Sequence, residues 1–459
     1  MSTQIVITES LELYPTKAPA LPYAPDAYNK EYHNQLNSIL RLYFNTLDQF
    51  IAQFMASTST LPVSFGGTNT DAFGRLRVSN PFTLFDSQNR YQKDNQFSEE
   101  LTTGGTATYV PNESTVDLGV TTASGSKAVR QTYRVFPYQP GKGLLVMCTF
   151  VMNEAKAGLR QRVGYFNTDN GLFLQQSGTG EPEFVLRTNT SGTPSDARAV
   201  SQSSWNGDKL DGTGASGLTL DLTKAQIFWT DFEWLGVGSV RCGFIINEQY
   251  IVCHTFQNAN DLNKVYMTTA ILPLRYEIEN TAITASPSTM KQICSTVISE
   301  GGYQQISANL FARQTTVVSG ISTTFVPLVS IRLASDSLGA VVLPQAIQVY
   351  PLTNQDYEVA LFKNATLTGA SYNTTTFNHV DYDVSATAMS GGTMVLQNFI
   401  GSTAQNRALS VTPAGYNFDL QLGVSLAGVS DVMTLGIRTI AGATTGSAVG
   451  VIDFIDLTD

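Results

Sequence analysis

Six apolar residues near the start of the chain constrain it most. Leu36, Leu40, Tyr43, Leu47, Phe50 and Phe54 follow one another at spacings of 4-3-4-3-4. That is a heptad stripe, and a stripe of this kind asks for partner helices rather than for a flat sheet. Phe44 and Ile51 lie beside it and widen the face. A two-stranded coil buries only a narrow seam, so the width predicts three helices, a parallel homotrimer. The other reading is an amphipathic helix packed on its own chain's sheet. Asp26, after Pro25, is the expected N-cap, and residues 26–57 are the expected helix.

Residues 1–25 carry prolines at 15, 19, 22 and 25. Proline removes backbone donors and stiffens the chain, which predicts an extended arm suited to lying on another protein. These residues show no basic segment followed by an apolar core, so no secretory leader is expected. No run of 18 apolar residues occurs, which argues against a membrane-spanning helix.

Composition narrows the partners. The 37 acidic residues outnumber the 27 basic ones, the formal net charge is -10, and no basic block offsets it, so nucleic acid is not an expected partner. Cys148, Cys242, Cys253 and Cys294 stand far apart in apolar or alternating runs, and are expected as buried free thiols.

After the helix, glycine, Asn-Pro and scattered aromatics up to Tyr91 suggest an irregular collar. From about Thr106 the apolar period becomes two. Short runs such as LLVMCTFVMNE (144–154), AQIFWTDFEWL (225–235), SVRCGFIIN (239–247) and QYIVCHTF (249–256) read as antiparallel strands with one dry side. Residues 58–310 are therefore expected as a β-sandwich body. Gly301-Gly302 reads as a hinge. About seven further strands in 311–459 predict a second sandwich or jelly roll, with the run Val449–Leu457 pinned in its sheet. The fold class expected is mainly β, an oligomerising helix followed by two antiparallel sandwiches.

Chemistry is sparse. His33, His254 and His379 are far apart, and no GxSxG, HExxH, paired CxxC or phosphate-loop motif is present. Neither a metal nor a cofactor is expected, and no catalytic residue is assigned. Asp231 with Glu233, and Glu277 with Glu279, sit two apart on strands, the placement a glycosidase pair would need. Alternating carboxylates on the wet side of a strand give the same pattern, and Arg241 can neutralise one across the hairpin. The polar, glycine-rich stretch 188–217 holds Trp205, the aromatic expected to be exposed and able to meet a glycan. Loops around Asn364 and Tyr372 are further candidates for surface contact.

A longer pattern then appears. GGTNTDAFGRLRVSNPFTLFDSQNRY (66–91), YQPGKGLLV (138–146), LRQRVGYF (159–166), WNGDKLDGTG (205–214), FEWLGVGSVRCGFII (232–246) and LPLRYEIENT (272–281) follow in order. Together they resemble a family of virion structural proteins of tailed bacteriophages, especially those infecting marine cyanobacteria. The resemblance covers residues 29–303. It implies a non-enzymatic tail, neck or fibre component, assembled in the host cytoplasm into the virion. It also implies other virion proteins as partners of the N-terminal arm and a C-terminal sandwich placed distally, where it can meet a host surface glycan. The alternative is a carbohydrate-binding or polysaccharide-degrading spike protein.

Overall fold

The computed structural model describes residues 21, 27, 29–60, 80–304, 307, 309–374, 379–402, 409–411, 418–441 and 445–458, without the side chains of 49–60 and 409–411. It divides into two compact units, residues 1–66 and 67–459. Of the expected arm only Leu21 is described, and the collar residues 61–79 lie outside the described residues.

In the first unit a single helix runs from Lys30 to Thr60. Its cap is Asn29, not Asp26: the Asn29 side-chain oxygen accepts the backbone N–H of Glu31 at 2.9 Å and of Tyr32 at 3.2 Å. The start is therefore three residues inside the expected one, because an asparagine that satisfies two orphan donors ends the competition for the cap.

Among the described residues the second unit is all strands and turns apart from two short 3-10 segments, and every pairing is antiparallel. In its first sandwich one sheet runs in the order Gln249–Phe256, Val240–Ile246, Gln226–Phe232, Gly143–Val151, Ser288–Glu300, Thr115–Val120, Thr106–Val110. Phe82–Gln88 adds to Ser288–Glu300 as an eighth strand. The facing sheet runs Ser195–Ser201, Glu183–Thr188, Gly171–Ser177, Leu159–Phe166, Leu274–Asn280, Lys127–Thr132, Phe97–Thr102. Alternation explains the register. Tyr276 and Ile278 are fully buried between the sheets, while Arg275 and Glu277 take the opposite face. The Asn247-Glu248 turn has φ of 52° and 63°, the left-handed pair that a two-residue hairpin needs.

The second sandwich pairs a five-stranded with a six-stranded sheet. The first is centred on Gly446–Asp456 and Val342–Pro351, the second on Val326–Leu333, Val432–Thr439 and Tyr357–Lys363. Gly446–Asp456 buries Ala448, Ile452 and Phe454 and leaves Val449, Val451 and Asp453 half-exposed, so the last long strand is pinned as its alternation requires.

Three expectations change. Residues of the collar form a regular strand, Phe82–Gln88, because Leu84 and Phe85 find the sandwich core. Cys294 is exposed while the other three thiols are buried, since a 13-residue strand at the middle of a sheet presents both faces. Gly301-Gly302 turns the chain with φ of 108° and 74° but does not open onto a separate domain. Val341, Leu343, Phe418, Ile455 and Leu457 of the second sandwich join the core of the first. One backbone and one side-chain bond seal the seam: Val424 N–H to Tyr133 C=O at 2.8 Å, and Gln421 Nε2–H to Val135 C=O at 2.9 Å. Gly423 is required there. A Cβ at that position would stand 2.8 Å from the Tyr133 Cβ, and only glycine lets the two backbones approach so closely.

Candidate functional site

Leu36, Leu40, Tyr43 and Leu47 are each half-buried, no described helix residue is buried, and Leu42 (69%) and Phe44 (55%) are exposed. Phe50 and Phe54 continue the stripe on turns whose side chains are not described.

Of the two carboxylate pairs, Asp231, Glu233 and Glu277 are buried and Glu279 is half-buried. Asp231 and Glu233 are 1% exposed. Asp231 stands opposite Arg241 in the hairpin register, and the Arg241 Nε–H donates to its Oδ1 at 2.9 Å. Glu277, 3% exposed, is held by Arg275 at 2.7 Å, Arg162 at 3.4 Å and Arg160 at 3.7 Å. Burial works to raise its pKa, but Arg275 and Arg162 outweigh that and leave it lowered. Burial also pushes Arg162 down to about 10. These arginines lie over phenylalanines on the outer face of the seven-stranded sheet. Arg162 and Arg187 are 5.4 and 5.1 Å from the Phe173 ring, and Arg275 is 5.5 Å from Phe166. The face is thus roofed by its own ion pairs. A general acid needs a raised pKa and an open approach; Glu277 has neither.

Trp205 is corrected as well. Instead of meeting solvent it is 2% exposed and stacks on Phe184 with ring centroids 4.3 Å apart, its Nε1–H donating to Val200 C=O at 3.1 Å. The long polar stretch is not one loop either, for Ser195–Ser201 adds a strand to the sheet and the rest folds back over its partner's edge. Gly207 N–H bonds Cys253 C=O at 2.8 Å and Asp208 N–H bonds Val252 C=O at 3.0 Å. The acids of this stretch tie their own turns: Asp208 accepts from the N–H of Leu210 and Ser216, Asp211 from Thr213. Tyr372 is half-buried under Arg332, 3.9 Å from its ring, and desolvation pushes its phenol up to about 12.

A feature the sequence pattern did not single out is a groove along the seam of the two sandwiches. Three contiguous hollows of about 420, 370 and 700 Å³ share Gln96, and the last two also share Arg134 and Asp419. One wall is the loop 89–96. It is pinned by Asn89 Nδ2–H to Ile293 C=O at 3.1 Å and by Tyr109 O–H to Arg90 C=O at 2.8 Å. The other is built from the turn at Lys363-Asn364, from Gly392-Thr393 and from Asp431. Asn364 holds φ of 58° there, and its Nδ2–H donates to Asp431 Oδ1 at 2.7 Å. The Asn364 loop was a surface-contact candidate from its polar composition; that it faces Gln96 and Arg134 across a seam depends on contacts some 230 to 330 positions apart.

No protein-family model and no curated protein matches the chain. Among solved structures it is similar over 47% of its length to the Emp47p carbohydrate recognition domain, at 10% identity, 96% of that chain and a TM-score of 0.31. It is similar to a β-1,3-glucanase from Mycobacterium marinum over 47% of its length, at 11% identity, 98% of that chain and a TM-score of 0.31. A Bacteroides ovatus GH16 protein of a mixed-linkage glucan system, solved with product, matches over 47%, at 8% identity, 99% of that chain and a TM-score of 0.32. The sandwich architecture rests on the strand pairing itself.

Proposed function

We propose that this protein is a non-enzymatic structural component of a tailed-phage virion, a trimeric fibre- or spike-like subunit attached to the tail, neck or capsid. The observation that carries the reading is the heptad stripe Leu36, Leu40, Tyr43, Leu47, left half-exposed along a helix whose neighbours Leu42 and Phe44 are open to solvent. Three copies bury such a stripe in a bundle, and closed cyclic symmetry uses it completely. The ordered phrases from residue 29 to 303 supply the virion setting through their family resemblance. The buried, arginine-held Asp231 and Glu277 support a structural role for the carboxylates over a hydrolytic one.

Light scattering on the full chain tests the assembly: three times the chain mass is expected, and a monomer ends the proposal. Fractionation of infected lysate tests the setting. Protein that sediments with particles agrees with it, and protein found solely in the soluble fraction does not.

A further inference from the structure

We infer that the seam groove binds a neutral, elongated oligosaccharide. Its three hollows each fall within the usual range of ligand sites, about 300–1,000 Å³, and they join end to end, which suits a chain of rings rather than a compact molecule. The lining is rich in groups that both give and take hydrogen bonds: Gln92, Asn95, Gln96 and Thr393. Sugar hydroxyls need such two-way partners.

Charge then narrows the class. Arg134 faces Asp419 at 3.4 Å, and Lys363 is held by Asp431 at 2.8 Å. Arg90 lies over the Tyr91 ring at 4.9 Å. Asp86 and Asp94 add two more carboxylates to the same walls. Four acids against three bases leave no surplus cation for a sulfate or carboxylate on the ligand. At one end Tyr91 is 82% exposed, the most open aromatic side chain described, and the wall that bears it is pinned. Arg90 lies over one face of this ring, and the other face offers a flat apolar surface. Two of the three hollows take walls from both sandwiches, locked by the Gly423 seam, and the third, with Tyr91, is lined by residues 86–96 alone, so the groove is formed before any ligand arrives.

The inference rests on the particle-surface reading only for the origin of the glycan, the host surface. The test uses the full chain. A panel of neutral hexoses in hexasaccharide form, their sulfated and carboxylated counterparts, and a lysine-rich decapeptide are titrated against the parent protein. The same titrations are run on Tyr91→Ala, which removes the platform, and on Thr393→Arg, which blocks the groove. Both positions are exposed, and a melting curve checks each fold. At least one neutral hexasaccharide should bind. Tyr91→Ala should weaken it about tenfold, ~1.4 kcal/mol, and Thr393→Arg should abolish it. Failure of every neutral sugar at millimolar concentration, equal binding by both variants, or binding of only the acidic sugars or the peptide overturns the inference. Light scattering on the same samples reads the trimer separately, so either proposal can fail alone.

Discussion

The helix and the β unit solve the same problem in opposite ways. Along Lys30–Thr60 the described apolar stripe stays half-exposed, with Leu42 and Phe44 open. In residues 80–458 even the outer face of a sheet is closed, by guanidinium groups lying on Phe166 and Phe173. A helix of this kind has no core of its own, and in the proposed trimer its stability would come from other chains. The β unit buries extensive apolar cores of its own, so it should fold whatever the helix does. If the proposed trimer forms through the helix, assembly and folding are separable in this chain.

The largest effect expected is on the helix. Leu40→Asp with Leu47→Asp places two carboxylates in the seam, and burying them unpaired costs several kcal/mol each. The assembled mass should fall to that of one chain while the melting temperature of the β unit stays put. A retained mass, or a β unit that melts with the helix, breaks the comparison.

Next comes Glu277→Gln. It leaves Arg162 and Arg275 buried without their carboxylate, and about 3–5 kcal/mol of stability should be lost. Denaturant titration measures it, and the oligomeric mass should not change. A loss under about 1 kcal/mol would class the roof as an ordinary surface network.

Smaller again is Gly423→Val. Its side chain would meet Tyr133 and Asp431, and prying the seam apart should cost about 1–3 kcal/mol. If the seam is the joint between the sandwiches, hydrogen exchange should rise at Tyr133, Val135 and Val424 and nowhere on the helix.

The smallest effect is a pH slope. Burial, with Arg198 adding to it, lowers His254 from 6.5 to about 4. Its Nδ1 accepts the Asn206 N–H at 3.3 Å, which the protonated ring cannot do. The unfolded chain therefore binds the extra proton first. Stability contributed by the neutral ring is complete above about 6.5 and is lost as pH falls towards about 4. His254→Gln should flatten that part of the stability profile, and an unchanged slope would assign it to other groups.

Local pattern alone was enough for much of this. Period-two alternation placed the runs at 239–247, 249–256 and 449–457 on strands, and Asn247-Glu248 as the turn between the first two, because side chains alternate faces along any strand wherever it sits. The 4-3-4 spacing placed the helix for the same reason of period. What pattern could not carry was which wet-looking face is truly wet. Asp231, Glu277 and Trp205 look exposed by composition, yet each is buried by a partner 5 to 115 residues away: Arg241, Arg162, and Val200 with Phe184. The seam and its groove were equally out of reach, since Gln96, Arg134, Asn364 and Asp431 meet only after two sandwiches have closed on one another. Sequence thus determined the elements through their repeat. Tertiary structure decided burial, charge pairing and the groove, because those depend on long-range contacts that no local period encodes.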